Sequence, residues 1–331
     1  MRKHHILAAV TIAILGAVSP ASATLTLTPA GISDGFSLTT FYTDPTAYYG
    51  LLGVTTTPNG QVIGASYQYD TLRLFNDVDG QTAATALTTA NVASTGLAYE
   101  VASVGGNVYY APGFGGSFYQ VDPTTLALTP LSLTPATSPY LGLWANPVTG
   151  HLISSSNSGL VDIDPLTGVV HTITTAVSGA DGVTVSPDGT IAYAEYGGNI
   201  YGFNIATGTQ VAFYSGGGHS PDGTGVISGS AFNSDIIVNN NDGTVGLIDT
   251  VTGIETIIAS GGTRGDFVGP DLTNGTLFLS SADATERLAL AGASIGGGPT
   301  PTGGVPEPLT LSVFGAGIAG ALAMRRRKAK G

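Results

Sequence analysis

The chain has 331 residues, of which 42% are hydrophobic and 10% charged, and 22 acidic against 10 basic residues give a formal net charge of −12. This low charge with so many apolar residues excludes an intrinsically disordered chain, and the acidic balance excludes a protein that binds nucleic acid through its phosphates. The sequence holds no cysteine, so disulfides are excluded as well.

The first 23 residues have the pattern of a secretory signal peptide. Arg2 and Lys3 precede an apolar stretch at residues 6–18, and Ala21 and Ala23 supply the small residues of a cleavage site. Cleavage after Ala23 is therefore predicted, and a buried core helix is the alternative. The protein is expected to be exported through the inner membrane, with a mature chain that begins at Thr24.

Residues 24–291 have the composition of an all-β domain. Short runs rich in Val, Ile, Thr, Tyr and Phe alternate with Gly, Asn, Asp and Pro, and no apolar period of 3.6 residues is sustained. Turns such as Asn59-Gly60 and Asp188-Gly189 form one series, and turns that open at Asp122 and Asp164 form a second series, out of phase with the first. Two hairpin turns in every 40 to 45 residues indicate four antiparallel strands per unit, the period of a β-propeller blade.

Counting the turns predicts six four-stranded blades. The last blade supplies three strands, at residues 267–272, 276–281 and 286–290, and its fourth is predicted at Phe36–Tyr42, so that the N-terminal strand closes the ring. A seven-bladed ring and a β-helix are the alternatives. The Pro187-Asp188-Gly189 and Asp164–Gly168 turns resemble those of secreted propellers of the NHL, quinoprotein-like and lactonase-like group, a resemblance that implies the fold and no function.

Few residues of this domain form a recognisable chemical motif. We interpret His151 and His171 as blade residues, whereas His219 lies in a glycine-rich loop between blades, where propeller ligand sites often occur. Residues 239–249 have part of the ligand spacing of a calcium loop, but a hairpin turn is the simpler prediction. We interpret Arg264-Gly265-Asp266, which matches an integrin-binding tripeptide, as a chance match.

Aromatic residues are concentrated in the first third of the domain. Core packing is predicted for most of them, and a carbohydrate-stacking face is the alternative. They are Tyr42, Tyr48, Tyr49, Tyr67, Tyr69, Tyr109, Tyr110, Phe114, Phe118 and Tyr119.

The C-terminal end has three ordered features behind a predicted Gly/Pro/Thr linker at residues 292–304. Pro306, Glu307 and Pro308 precede an apolar run at residues 309–324, and a basic cluster follows at Arg325, Arg326, Arg327 and Lys328. The run predicts a short transmembrane helix of roughly 24 Å, which is marginal against a hydrocarbon core of about 30 Å. The basic cluster is expected to stay cytoplasmic.

Residues 305–331 resemble the PEP-CTERM sorting signal, a tail that is also labelled ice-binding protein C-terminal domain. The resemblance implies that Pro306, Glu307 and Pro308 are read by an exosortase, a membrane-embedded cysteine protease-transpeptidase of Gram-negative cells that produce exopolysaccharide. Contact with the inner membrane is then transient, and the processed protein is at the cell surface or extracellular. A weak membrane anchor is the alternative.

Two functions are compatible with this organisation. Between its two signals the chain has no lysine and a net charge of −18, and it shows no catalytic constellation. We therefore predict a non-enzymatic binding or structural module of the cell surface or extracellular matrix, without cofactor, catalytic residue or metal ligand, and with exopolysaccharide as a candidate partner. The alternative is a secreted hydrolase or lactonase with an acidic metal site in the central channel, built from single residues on different blades.

Overall fold

Short strands separated by glycine and asparagine turns pair into six sheets in the computed structural model, which describes residues 24–298. The innermost strands of neighbouring sheets contact one another in a closed ring. The molecule is therefore a six-bladed β-propeller, which confirms the predicted all-β fold and the number of blades. The seven-bladed ring and the β-helix are wrong.

The first elements of the described residues are β1 (Thr26–Leu27), the one-turn helix α1 (Pro29–Ser33) and β2 (Phe36–Thr43); β1 pairs with blade 5 and β2 with blade 6. Three short 3-10 turns lie at Tyr67–Tyr69, Ala83–Thr85 and Ala93–Thr95.

The first three blades follow in chain order, each with its innermost strand first. Blade 1 contains β3 (Leu51–Thr56), β4 (Gln61–Ser66), β5 (Thr71–Asn76) and β7 (Thr88–Asn91), and the short β6 (Gln81–Thr82) leaves it to join blade 6. Blade 2 contains β8 (Leu97–Val104), β9 (Asn107–Gly113), β10 (Tyr119–Val121) and β11 (Leu128–Pro130). Blade 3 contains β12 (Pro139–Ala145), β13 (Leu152–Ser156), β14 (Gly159–Ile163) and β15 (Val170–Thr174).

The last three blades repeat this order. Blade 4 contains β16 (Val183–Val185), β17 (Ile191–Tyr196), β18 (Asn199–Asn204) and β19 (Gln210–Ser215). Blade 5 contains β20 (Pro221–Ser228), β21 (Ile236–Asn240), β22 (Val245–Ile248) and β23 (Glu255–Ser260), with β1 on its outer edge. Blade 6 contains β24 (Gly265–Pro270), β25 (Leu277–Ser281), β26 (Ala284–Leu290) and β2, and β27 (Ser294–Ile295) pairs with β20.

The ring is closed by its N-terminal strand. β2 pairs antiparallel with β26 from Phe36 opposite Leu290 to Thr43 opposite Ala284, so it is the fourth strand of blade 6. The predicted closure is thus confirmed. β6 of the blade 1 loop then pairs in parallel with β2, which leaves the first and last blades connected by backbone hydrogen bonds.

Arg287 on β26 connects the same two blades through its side chain, which is only 11% exposed. Its Nη2 lies 2.5 Å from Asp77 Oδ1 and its Nε 3.1 Å from Asp79 Oδ1, both in the loop after β5, and it also pairs with the buried Asp271. Its guanidinium carbon is 5.4 Å from the ring centre of Phe41 and 4.7 Å from that of Phe278. The guanidinium group of Arg287 therefore holds together residues some 200 positions apart in the chain.

The last described residues pack at one end of the central channel. This is the end where the innermost strands finish, opposite the end where they begin. Ile295, which is fully buried, donates its backbone N–H to Gly275, and Gly296 donates to Val226, each at 2.9 Å. Residues 292–298 therefore pack against the propeller although the sequence predicts a linker there, because Ala293 and Ile295 bury apolar side chains.

The predicted signal peptide, sorting motif, apolar helix and basic cluster lie outside the described residues. Among residues 24–298, no helix is both long enough and apolar enough to cross a membrane.

Candidate active site

Three successive blades place an aspartate at the equivalent position, where the innermost strand begins. These residues are Asp181, Asp222 and Asp266, and we call this end of the channel the mouth. The strands approach so closely here that a Cβ on Gly182 would lie 2.5 Å from the carbonyl oxygen of Asp222, and one on Gly223 would lie 2.9 Å from that of Asp266. Glycine beside each of the first two aspartates thus lets the strands converge and brings the carboxyl groups together.

Arg264 lies among these carboxyl groups. Its Nη2 is 3.1 Å from Asp222 Oδ2 and 3.6 Å from Asp266 Oδ2, and its Nε donates a hydrogen bond of 2.5 Å to Asn241 Oδ1. Its guanidinium carbon lies 4.9 Å from the ring centre of Tyr49. Arg264 is therefore held in one orientation from three sides, with part of its side chain still exposed to the mouth.

Burial raises the pKa values of these three carboxyl groups. Desolvation raises the pKa of Asp266 to about 7, against an opposing effect of the Arg264 charge. Desolvation also raises the pKa of Asp222 well above its usual range, with the Asp266 and Asp181 charges adding to it, and raises the pKa of Asp181. A carboxyl group with a pKa of about 7 can both accept and donate a proton near neutral pH, which is what acid–base catalysis requires.

Glu195 and Glu100 form a second layer of carboxyl groups behind the aspartates. Glu195 is 1% exposed, and burial raises its pKa to about 8, while burial raises the pKa of Glu100 well above its usual range. Neither carboxylate oxygen of Glu195, nor Oδ1 of Asp222, has a hydrogen-bond partner among the described residues. Buried polar atoms normally have a partner, so these oxygens are free to accept a hydrogen bond from a ligand or water.

An aromatic collar covers the other half of the mouth. Its rings meet edge to face at centroid distances of 5.0 to 5.4 Å, and Phe267 adds a further contact of 5.8 Å to Tyr99. The collar comes from the loops and strands of blades 1 to 3, whereas the aspartates come from blades 4 to 6. The mouth is therefore divided into an apolar and an acidic half. The collar residues are Tyr49, Tyr67, Tyr99, Phe114 and Tyr140.

The channel below the mouth is narrow. Between blades 2, 3 and 6 it leaves a cavity of about 10 Å³, lined by Leu143, Trp144 and Val268 among others. This volume is close to the minimum for one water molecule. At this level the channel is therefore too narrow for a ligand larger than water.

His219 lies at the rim of the mouth, in the loop that leads into β20. Its Nδ1 is 2.6 Å from Asp242 Oδ2, a bond that raises the pKa of His219. Asp242 follows Asn241, the residue that holds Arg264. The two belong to the turn between β21 and β22, so residues 239–249 form the predicted hairpin rather than a calcium loop.

The other residues singled out from the sequence either lie away from the mouth or contribute to packing. His151 lies 2.8 Å from Asp162 in blade 3, and His171 is exposed on β15, as expected of blade residues. Of the aromatic set, Tyr49, Tyr67 and Phe114 belong to the collar. Others are buried in the core: Tyr42, Tyr109, Tyr110 and Phe118.

Sequence reasoning missed the aspartates at the mouth. Asp181, Asp222 and Glu195 were not singled out, and Arg264 and Asp266 were noted only as a chance tripeptide. Asp266 is 3% exposed and faces the cluster, so it is not displayed as an adhesion motif would be. The available signal was an aspartate at the start of three consecutive repeats, at spacings of 41 and 44 residues.

The acidic metal site of the alternative hypothesis does not fit these residues. Within residues 24–298, no group of three or more His, Asp or Glu side chains is arranged to hold a metal ion. At the mouth, Arg264 disfavours metal binding, because its positive charge lies beside Asp222 and Asp266 and would repel a divalent cation.

Solved structures of enzymes share this fold. No protein-family model and no curated protein matches the sequence. A gluconolactonase from Xanthomonas campestris superposes with a TM-score of 0.60 at 15% identity, covering 80% of this chain and 94% of that one. A streptogramin B lyase (TM-score 0.54, 12% identity, 77% and 98% covered) and virginiamycin B lyase from Staphylococcus aureus (TM-score 0.54, 12% identity, 77% and 99% covered) are also similar.

The comparison corrects one sequence-based prediction. The expectation that the protein is not an enzyme is wrong, because propellers of this shape include a lactonase and a streptogramin B lyase. At 12–15% identity the likeness itself establishes the fold alone. Any particular reaction must be argued from the residues at the mouth.

Proposed function

We propose that the protein hydrolyses cyclic esters (lactones) at the mouth of the propeller, by acid–base catalysis between buried carboxyl groups. The observation that carries the proposal is the pair Asp222 and Asp266 on either side of Arg264, with raised pKa values. The likeness to a gluconolactonase supports the choice of substrate class.

The proposed reaction assigns one role to each group. Ionised Asp266, with a pKa of about 7, accepts a proton from water as its oxygen adds to the ester carbonyl. The Arg264 guanidinium stabilises the negative charge that develops on the carbonyl oxygen. The ring C–O bond then breaks, and protonated Asp222 donates its proton to the departing ring oxygen. The proton that Asp266 took from water then passes to Asp222, so water and lactone give one hydroxy acid and both carboxyl groups return to their starting states.

The aromatic collar supplies the binding surface in this proposal. Tyr99 and Tyr140 present ring edges and faces against which a sugar-like ring can stack. Because the collar is apolar and the channel beneath it is narrow, a ring bound there displaces water from the carboxyl groups. Removing that water strengthens the electrostatic effect of Arg264.

The test is a titration of acid release from five- and six-membered aldonolactones by the purified protein near pH 7.5. We expect hydrolysis well above the spontaneous rate, with the hydroxy acid as the product. The heat-denatured protein is the control for spontaneous opening. Rates equal to that control for every lactone would contradict the proposal, and an unsaturated product would indicate elimination instead.

We also propose that the protein is exported and then sorted through Pro306, Glu307 and Pro308. The support is the ordered motif, apolar run and basic cluster in the sequence. In a host with an exosortase, deletion of residues 305–331 is expected to change the cellular location of the protein, and mass spectrometry should find the full-length chain cut near the motif. Unchanged location and an intact C-terminus would contradict the proposal.

A further inference from the structure

Arg264 needs a fixed orientation if it is to stabilise the charge that develops on a lactone carbonyl oxygen. Its Nη2 faces Asp222 and Asp266 at 3.1 and 3.6 Å, and its guanidinium carbon lies 4.9 Å from the ring centre of Tyr49. Its Nε donates to Asn241 Oδ1 at 2.5 Å. The orientation of the guanidinium therefore depends on where the turn between β21 and β22 places Asn241.

That turn is held between two loops at the mouth. On one side, the backbone N–H of Asn241 donates to the carbonyl oxygen of Ser220 at 3.0 Å. On the other side, the N–H of Gly262 donates to the carbonyl oxygen of Gly243 at 3.1 Å, and a Cβ on Gly243 would lie 2.3 Å from the carbonyl oxygen of Gly262. The turn is thus a spacer between the loop before β20 and the loop that leads into Arg264.

Asp242 adds a side-chain bond between this turn and the loop before β20. Its Oδ1 accepts hydrogen bonds from the backbone N–H and the hydroxyl of Thr244, at 3.1 and 2.6 Å, and its Oδ2 lies 2.6 Å from His219 Nδ1. Burial opposes the ionisation of Asp242, but the hydrogen bonds from Thr244 and His219 outweigh it and lower its pKa. Because an ionised carboxylate can only accept hydrogen bonds, His219 Nδ1 carries a proton and is the donor.

We propose that His219 positions Arg264 at the mouth, because its bond to Asp242 fixes the turn that holds the arginine. The effect on the reaction rests on the proposed function, whereas the placement of Arg264 can be measured without a substrate. The His219 side chain is 34% exposed at the rim, so replacing it removes the bond with little effect on the core. His219 is a positioning residue, since it acts through the turn and does not touch the carboxyl groups of the acidic half.

His151 offers a matched control for this bond. Its Nδ1 lies 2.8 Å from Asp162 Oδ1 and its side chain is 30% exposed, so His151→Ala removes the same kind of pair in blade 3, away from the mouth. His219→Asn is the conservative variant, because the asparagine amide has an N–H close to the position of histidine Nδ1 and can still donate to Asp242. Asn241→Ala removes the bond to Arg264 itself and gives the full size of the effect.

The first measurement is the solvent exchange rate of the Arg264 Nε–H, by NMR on the full chain labelled with ¹⁵N-arginine. The signal that disappears in Arg264→Lys belongs to this group. We expect exchange about tenfold faster in His219→Ala, close to the rate in Asn241→Ala, and within about twofold of the natural rate in His219→Asn and His151→Ala. His219→Phe, which keeps a ring without the donor, replaces the alanine variant if the latter does not fold. An unchanged rate in the folded variant, or an equal acceleration in His151→Ala, would overturn the proposal.

Kinetics give the second measurement. His219→Ala should lower kcat for lactone opening by about tenfold or more and leave KM within about threefold, because the collar still binds the ring while the misplaced charge acts in the transition state. His219→Asn should recover most of kcat, and His151→Ala should match the natural protein. If the natural protein opens no lactone, the proposed function fails, and the exchange rates alone decide whether His219 positions Arg264. A natural kcat in His219→Ala would contradict the role of His219 in the reaction.

Discussion

Replacing Asp266 by asparagine is expected to lower kcat for lactone hydrolysis by about 10²–10⁴-fold, the usual contribution of a positioned general base. The amide keeps the size and most of the hydrogen bonding of the carboxyl group but cannot accept a proton at neutral pH. Because the change removes a negative charge that is buried beside two other carboxyl groups, we expect the fold to tolerate it. Initial rates at saturating lactone measure kcat, and urea denaturation of the same variant measures its free energy of unfolding.

The pH dependence distinguishes a base from a merely structural carboxyl group. In the natural protein, kcat/KM should rise through about pH 7 as Asp266 loses its proton, and fall at higher pH as Asp222 loses the proton that it donates. Since the two groups interact, both limbs belong to the pair rather than to single residues. Asp266→Asn should lose the rise near pH 7.

Asp164→Asn is a matched control for this substitution. Asp164 is an aspartate of an exposed turn between β14 and β15, where its side chain accepts hydrogen bonds from Thr167 and Leu166. Hydrogen bonds from Thr167 first of all lower its pKa, so it remains ionised at neutral pH. The control variant should keep the natural kcat and pH profile. An Asp266→Asn enzyme with an unchanged rise near pH 7 would exclude Asp266 as the base.

The sequence predicts the fold well because blades are local structures. Each four-stranded unit is built from turns such as Asp188-Gly189 and Asp164–Gly168, whose residue preferences are visible without knowledge of the tertiary structure. Closure by Phe36–Thr43 also follows from local counting, since the last repeat is one strand short. The start of an innermost strand is less visible in the sequence: β20 begins at Pro221, well before its apolar residues Val226 and Ile227, and its first residues include Asp222 at the mouth.

The mouth could not be predicted in the same way. Asp181, Asp222 and Asp266 meet only because the ring brings the starts of three innermost strands to one axis, and each aspartate alone resembles an ordinary turn residue. Burial determines their chemistry, and burial depends on the contact between strands at Gly182 and Gly223. Aligning the repeats at the first strand, rather than at their turns, would have revealed the recurrent aspartate.

Replacing Arg287 by methionine is expected to lower the free energy of unfolding by about 3–5 kcal/mol, the typical cost of removing one partner from a buried ion pair. Three carboxyl groups lose their shared cation, and one of them, Asp271, has no exposed surface. Methionine keeps the apolar contact with Phe41 and Phe278, so the change tests charge more than packing. Urea denaturation followed by circular dichroism measures the loss.

Arg73→Met provides the comparison that separates the ion pairs of Arg287 from a hydrogen bond of a buried arginine at the same closure. Arg73 is 7% exposed and lies on β5 of blade 1, and its Nη1 donates a hydrogen bond of 2.7 Å to the hydroxyl of Tyr42 on the closing strand β2, rather than to a carboxylate. Its removal breaks a bond to a neutral group and should cost about 1–3 kcal/mol. If Arg287→Met costs no more than Arg73→Met, the ion pairs of Arg287 stabilise the closure no more than the Arg73 hydrogen bond does. If it costs more, the Arg287 cluster strengthens the backbone pairing of β2 and β6, because Asp77 and Asp79 lie in the same loop as β6.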